Sequence, residues 1–254
     1  MTHIDIIEAI DRRISCRAFT SELLPEDVFA SIQSEIDTIN GESGLHFQLY
    51  GPREDGTALD LSKNMFASNP PYYAALVALG DEISKEKLGY YGERLVLFIE
   101  QLGLSTCWVA STYDHDTVRV DLADGEVLHD VVPFGFAPQK MPLKQRTIRK
   151  GLRARSKKPS DMWNSPTPLD QAPEWVQACI DAVWKAPSAV NEQPVVFVQD
   201  APDVPIHTTL IRERTRQEHT DLGIAKYHFE VIAAECGVRG TWEWGANGSF
   251  IIEG

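Results

Sequence analysis

The sequence lacks several features that would place it in a specialised class of proteins. Its four cysteines are scattered, with no C-x-x-C pair and no Cys/His cluster at zinc spacing. We therefore expect free, buried thiols in a reducing compartment rather than a disulfide scaffold or a zinc site. No apolar run approaches the roughly 18 residues that span a bilayer. The N-terminus also lacks the basic, apolar and small-residue order of a signal peptide, so we expect a cytoplasmic protein without membrane binding.

Net positive charge is absent as well. The 254 residues include 24 Lys and Arg against 37 Asp and Glu, which gives a formal net charge of −13. This excess of acidic groups argues against general affinity for nucleic acids. Hydrophobic residues make up 43% of the chain, enough for a sizeable core in one large domain or two small ones. The composition therefore indicates an acidic globular protein.

Hydrophobic periodicity predicts helices alternating with short strands. Apolar stripes at helical spacing predict helices at 4–10, 25–39, 85–102, 173–185 and 221–237. The second of these is predicted to stop at Asn40-Gly41. Alternating or continuous apolar runs predict strands at 45–50, 72–79, 127–136, 194–199, 238–244 and 249–252. The run at 72–79 is apolar enough for a central strand, and 161–173 is predicted to be a loop.

The segment A-P-S-A-V-N-E-Q-P at 186–194 lies between a predicted helix and a predicted strand. Prolines at both ends exclude a regular helix. The side chains of Ser188, Asn191 and Gln193 can donate and accept hydrogen bonds over a short reach. A polar loop held between two buried elements is suited to gripping a polar ligand. For Pro187-Ser188 taken alone, a plain helix-to-strand connection is the simpler alternative.

A second polar pattern occurs near the N-terminus. Arg13, Ser15 and Arg17 are two residues apart, so an extended segment would place all three on one face. Two guanidinium groups and a hydroxyl on one face suit a phosphate or another dianion. The alternative is a solvated basic end of the preceding helix.

A third pattern follows the predicted helix at 85–102. The sequence G-L-S-T-C-W at 103–108 leads into the small residues Ala110 and Ser111. Small residues let backbone N–H groups approach a planar ring closely. The alternative is a helix end followed by buried apolar packing.

Taken in chain order, the three patterns resemble the motifs of the FMN-dependent nitroreductase family. These are R-R-S-x-R-x-F (here with Ile14 in place of the second Arg), G-L-G-T-C-W and P-S-x-x-N-x-Q-P, together with a late strand that ends in G-[YF], here Gly135-Phe136. The resemblance implies a nitroreductase-like α+β fold, with a central, mainly antiparallel sheet flanked by helices.

The order of the motifs also resembles a fused pseudo-dimer subfamily. In ordinary members, each of two FMN sites takes R-x-S-x-R from one protomer and P-S-x-x-N-x-Q-P from the other. Here each motif occurs once, in different halves, and the order helix, Gly, small residues, Trp repeats at 85–108 and 221–242. We therefore expect one domain of residues 1–254 made of degenerate halves, about 1–150 and 151–254. One site would survive, and the protein would be a monomer or a weak homodimer.

The resemblance implies a set of cofactor-binding residues. The FMN phosphate would be held by Arg13, Ser15 and Arg17, with Arg155 and Lys157 from a loose match to a K-x-R-x-P segment. The ring edge would be met by Pro187, Ser188, Ala189, Asn191 and Gln193, and flavin N5 by the backbone of Ala110 and Ser111. No side-chain catalyst and no metal is implied.

The implied activity is that of an NAD(P)H oxidoreductase. In this family NADH or NADPH passes a hydride to the flavin, leaves, and is replaced by an electron-poor small molecule such as a nitroaromatic or a quinone. An alternative is a flavin-binding protein with different chemistry, such as flavin fragmentation or dehalogenation, or with no reductase activity. The replacement at Ile14 and the loss of the twin site motivate that alternative.

One stretch of the chain is strongly basic, in contrast to the acidic composition of the whole. Residues 140–158 carry nine of the 24 basic residues, namely Lys140, Lys144, Arg146, Arg149, Lys150, Arg153, Arg155, Lys157 and Lys158. Three interpretations stay open: a solvent-exposed connector, side chains that close over a phosphate, or a docking patch for RNA or an acidic partner.

Overall fold

The computed structural model describes residues 4–61, 70–116, 118–140, 142–143, 146–147, 150–151, 156–211 and 215–253. The chain forms two compact units. The first comprises Met1–Gly80 and Arg94–Gly151, and the second comprises Asp81–Glu93 and Leu152–Gly254. The prediction of two pseudo-repeat halves within one domain stays a prediction.

The first unit is built on a four-stranded antiparallel sheet. Its strands are β1 (Gln48–Tyr50), β2 (Tyr72–Leu79), β3 (Ser105–Thr106) and β4 (Glu126–Gly135), in the order β1-β2-β4-β3. The prediction of a central strand at 72–79 is confirmed, since β2 pairs with both β1 and β4 and is buried over most of its length. A β-bulge interrupts the β2–β4 register between Leu76 and Val77.

Three helices whose full length is described contribute to this unit. Helix α1 spans Ile6–Arg12, α2 spans Glu26–Ser43, and α3 spans Glu82–Gln101, with its second half in the first unit. The predicted stop of α2 at Asn40-Gly41 is wrong. The Asn40 side chain bonds to the backbone of Phe47, at 2.8 and 2.9 Å, and leaves the helix intact. The helix ends instead at Gly44, whose φ of 72° is the left-handed conformation that glycine adopts easily.

The second unit contains two smaller sheets. Strands β5 (Trp163–Asn164) and β6 (Val195–Val198) are parallel, and β7 (His207–Leu210) is antiparallel to β6. Strands β8 (Gly240–Trp242) and β9 (Phe250–Ile252) form an antiparallel pair. Strands β5 and β7 were not predicted, and neither was β3 of the first unit. The reason is that β3 and β5 have only two residues each and β7 buries a threonine rather than an apolar side chain.

An aromatic cluster forms the core of this unit. Helices α4 (Glu174–Lys185) and α5 (Glu218–Glu235) confirm the predicted helices at 173–185 and 221–237 within a few residues. Phe229 of α5 stacks on Phe197 of β6 with ring centroids 4.9 Å apart, and Trp242 and Phe250 pack edge-on against the same ring. Burial of these large apolar surfaces stabilises the unit.

The α+β class with mainly antiparallel pairing is confirmed, and the strands are distributed over three sheets. All four cysteines are free, but Cys236 is exposed, which corrects the expectation that every thiol is buried. Within the described ranges, no helix has the length and apolarity needed to cross a lipid bilayer.

Candidate functional site

The R-x-S-x-R segment lies directly after α1 and is tied to the sheet of the first unit. Cys16, between Ser15 and Arg17, is buried, and its N–H donates to the Thr106 carbonyl at 2.8 Å. Further along, the Thr20 N–H donates to the Phe136 carbonyl at 2.9 Å. The side chains of Arg13, Ser15 and Arg17 are half-buried. The segment is therefore fixed beside β3 and the end of β4.

The structure brings this segment together with G-L-S-T-C-W. Burial raises the pKa of the Cys107 thiol, while the charges of Arg17 and Arg13 and a hydrogen bond with Ser15 act in the opposite direction. Two of the three sequence patterns therefore meet within one unit.

A buried acid, Glu100, orders the G-L-S-T-C-W segment. Glu100, in the last turn of α3, accepts the Thr106 N–H at 2.9 Å and the Thr106 hydroxyl at 2.8 Å. Thr106 in turn accepts the Cys16 N–H, so one carboxylate orders both segments. The sequence analysis missed Glu100; its signal was an acid at the end of an apolar helical stripe, just before the motif.

The backbone after Cys107 then leaves the sheet. Val109 pairs with Val131 of β4 through two hydrogen bonds of 3.0 and 2.9 Å. Ala110 and Ser111 follow in a bend, and Ser111 is exposed. Across the described part of the chain, neither N–H donates to a protein acceptor. Such amide groups can donate to a ligand.

Asp130 of β4 is a second acid that the sequence analysis missed. Burial raises the pKa of Asp130 to about 7, and burial together with the charge of Asp130 raises the pKa of Tyr113 to about 12. Asp130 is 3% exposed, and its Oδ2 atom bonds to none of the described residues. An acidic residue inside the apolar run of a central strand was the available signal.

The loop 186–194 belongs to the second unit and joins α4 to β6. Three of its non-glycine residues have left-handed backbone conformations: Val190 with φ of 48°, Asn191 with 59° and Gln193 with 47°. This conformation is unusual for a β-branched residue such as Val190, which is 61% exposed. Backbone strain of this kind persists only where the surroundings impose it, and it clusters at functional sites.

Several hydrogen bonds impose the shape of this loop. The Ser188 hydroxyl oxygen accepts the Gln193 N–H at 3.0 Å, which closes the loop on itself. The Asn191 amide donates to the Ser156 hydroxyl at 3.0 Å. The Ala189 N–H donates to the carboxylate of Asp221, at 3.0 and 3.2 Å.

Gln193 and Lys157 bond to each other rather than projecting into solvent. The Gln193 side chain accepts the Lys157 N–H and donates to the Trp184 carbonyl, each at 2.9 Å. The Lys157 ammonium donates to the Gln193 carbonyl at 2.5 Å. Gln193 is 3% exposed. Both residues hold the loop in place, and their contacts with a cofactor stay predictions.

The structure describes every predicted site residue except one. Pro187 is half-buried at the start of the loop. Arg155 lies outside the described residues, as does part of the basic stretch 140–158. The first unit contains Arg13, Ser15, Arg17, Ala110 and Ser111. The second unit contains Lys157, Pro187, Ser188, Ala189, Asn191 and Gln193.

A family model described as "Putative TM nitroreductase" matches residues 5–233. A putative nitroreductase from Thermotoga maritima MSB8 is similar in structure, with 20% identity, a TM-score of 0.67, and coverage of 99% of this chain and 94% of that chain. At this level of identity the likeness shows the fold. No curated protein matches the chain.

Two further solved structures match about half of the chain. A nitroreductase family protein from Clostridium difficile 630 has 14% identity and a TM-score of 0.43, covering 58% of this chain and 92% of that chain. A nitroreductase with bound FMN from Bacteroides fragilis NCTC 9343 has 15% identity and a TM-score of 0.42, covering 55% of this chain and 92% of that chain.

Proposed function

Because the chain belongs to the family described as putative TM nitroreductases, we propose that it is an FMN-dependent oxidoreductase. It would pass a hydride from NADH or NADPH to an electron-poor small molecule such as a nitroaromatic or a quinone. One observation carries the proposal. The first unit places two arginines and a serine beside a largely buried motif, which is followed by two amide N–H groups that donate to no acceptor among the described residues.

The residues of the first unit fit the phosphate of FMN. The guanidinium groups of Arg13 and Arg17 and the Ser15 hydroxyl supply charge-assisted hydrogen bonds to a dianion. The segment is fixed at Cys16 and Thr20, so binding would not have to order a flexible chain. Arg155 and Lys157 are proposed as additional cations near the phosphate.

The ring of FMN needs donors and acceptors along its polar edge. We assign this role to the loop Pro187, Ser188, Ala189, Asn191 and Gln193, and assign the Ala110 and Ser111 N–H groups to the neighbourhood of N5. FMN, when bound, supplies the electron-transfer chemistry itself. The protein residues bind and orient it, and no side chain is required as a catalyst.

The partners follow from this proposal. The acceptor is a small molecule, and neither nucleic acid nor membrane takes part. An internal pseudo-dimer would remove the usual reason for nitroreductases to dimerise, so the proposed state is a monomer or a weak homodimer.

The test is the absorbance spectrum of the purified protein before and after anaerobic addition of NADH or NADPH. We expect flavin bands that bleach with one or both donors. Flavin that stays oxidised with both donors would contradict the reductase activity and would favour a flavin protein with different chemistry. A colourless protein that takes up no added FMN would overturn the proposal as a whole.

A further inference from the structure

Asp221 is a buried acid that belongs to none of the sequence motifs. It lies in the first turn of α5 and is 5% exposed. Both of its carboxylate oxygens are within hydrogen-bonding distance of the Ala189 N–H, at 3.0 and 3.2 Å. Its own N–H donates to the Gln217 carbonyl at 2.8 Å, so the backbone that carries the acid is fixed. Burying a carboxylate is unfavourable unless its hydrogen bonds compensate.

The bonded residue lies where the strained part of the loop begins. Val190 and Asn191, which follow Ala189 directly, have φ of 48° and 59°. Side chains with a Cβ disfavour this conformation, so contacts on both sides must hold it. After the strained residues, the Gln193 N–H donates to the Ser188 hydroxyl oxygen at 3.0 Å. Before them, the Ala189 N–H donates to the Asp221 carboxylate, and this charge-assisted bond is stronger than a bond to a neutral acceptor.

We propose that Asp221 is a positioning residue, which holds Ala189 so that Val190 and Asn191 keep their left-handed backbone and Asn191 is directed toward the ligand. The inference rests on the proposed function, because FMN is the ligand for which the loop is held. Asp221 itself contacts the loop backbone and acts through it.

The first experiment compares Asp221→Ala with Asp221→Asn. The alanine variant removes the acceptor, whereas asparagine keeps one side-chain oxygen that can accept the Ala189 N–H. We expect the FMN dissociation constant to rise about tenfold or more in Asp221→Ala and by only a few fold in Asp221→Asn. The readout is the quenching of FMN fluorescence on titration with apoprotein.

A rescue at another position separates positioning from general stability. In the Asp221→Ala background, Val190→Gly should recover part of the lost affinity, because glycine adopts φ near 48° without steric cost. A residue that only stabilised the fold would not be rescued there. The matched control is Asp200→Ala, since the Asp200 side chain is 77% exposed and lies in the same unit. Its FMN affinity should be unchanged.

The outcomes are distinct. Wild-type protein that binds no FMN would overturn the proposed function, and the positioning role with it. Wild-type protein that binds FMN, together with an Asp221→Ala variant that binds as tightly, would overturn the positioning role alone. If Asp221→Ala does not fold, Asp221→Glu serves instead. It keeps the charge but displaces the oxygens by one methylene, and affinity equal to wild type would again contradict the proposal.

Discussion

Asn191 combines a hydrogen-bonded side chain with a left-handed backbone conformation. Its amide donates to Ser156 at 3.0 Å, and its φ is 59°. Asparagine tolerates the left-handed region better than most residues, because its short polar side chain can bond locally. The residue type therefore suits both the strained loop and the ring edge proposed as its ligand.

Replacing Asn191 tests which of these properties matters. Asn191→Ala should weaken FMN binding by about 1–3 kcal/mol if the side chain bonds a ligand in a desolvated site. Asn191→Gly is the matched control, since glycine removes the same side chain and fits φ of 59°. Equal losses of FMN affinity, measured by fluorescence titration, would assign the effect to the side chain. A loss in the alanine variant alone would assign it to the backbone and contradict the contact.

Arg17 tests the proposed phosphate contact. Arg17→Glu should repel the phosphate and lower FMN affinity at least ten- to hundredfold, because it removes a charge-assisted bond and adds a like charge. Arg12→Glu is the control, since the Arg12 side chain is 62% exposed and pairs with Glu8 on the surface. Such exposed pairs contribute about 1 kcal/mol or less. Unchanged FMN occupancy in purified Arg17→Glu would show that the motif is wrongly assigned.

At the scale of elements, the first half of α3 and helix α5 approach each other closely within the second unit. A Cβ atom at Gly89 would lie 2.0 Å from the Thr220 carbonyl oxygen, and one at Gly223 would lie 1.9 Å from the Glu86 carbonyl oxygen. Only glycine permits this contact of two helix backbones.

Buried charges lie beside this contact. The Lys226 ammonium donates to Glu86 at 2.5 Å and to the carbonyls of Glu243 and Gly245 at 2.8 and 3.0 Å. The Lys226 and Glu86 side chains are both fully buried. Because Glu86 also accepts the Gly245 N–H at 2.6 Å, both charges have good partners. Removing either partner would leave an uncompensated buried charge.

Because the two helix backbones are in contact at Gly89, replacing glycine by alanine there and at Gly41 should change the free energy of unfolding in opposite directions. Gly89→Ala should lower the free energy of unfolding by about 1–3 kcal/mol, since the added methyl group overlaps backbone atoms. Gly41→Ala, inside α2, brings the new methyl group within 4 Å of no described atom beyond its own helix and chain neighbours. It should raise the free energy of unfolding by up to about 1 kcal/mol. Urea denaturation measures both. A Gly89→Ala variant as stable as wild type would show that the helices do not pack this closely.

At the scale of the whole molecule, Asp130 links stability to pH. Burial raises its pKa from 3.8 to about 7. Between these values the folded protein binds a proton that the unfolded chain releases. The contribution of Asp130 to the free energy of unfolding is therefore highest at low pH and falls as pH rises through this window.

Asp130→Asn should remove this dependence. The variant should be more stable than wild type at pH 8, by up to about 4 kcal/mol, and similar to it near pH 4. Urea denaturation at both pH values measures the difference, with the exposed Asp124→Asn as control. If the wild-type and Asp130→Asn proteins lost stability in parallel across this range, the raised pKa would be contradicted.

The sequence predicted most of the regular structure. Periodicity located the helices and the strands β2 and β4 because these elements bury long apolar stripes. It failed at β3, β5 and β7, which are short and take their stability from pairing with β4 or β6. It also ended α2 too early, because the bonds from Asn40 to Phe47 depend on a chain reversal that periodicity cannot show.

The sequence by itself determined the family and the identity of the three polar motifs, because these depend on local residue order. Only the tertiary structure decided which acids are buried and what they contact. Glu100 and Asp221 accept hydrogen bonds from Thr106 and Ala189, and Asp130 is buried within β4. Likewise, the Gln193 amide bonds to the protein, since folding brings Lys157 and Trp184 beside it. Burial and partner choice are properties of packed chains, and a sequence pattern specifies them only once the chain has folded.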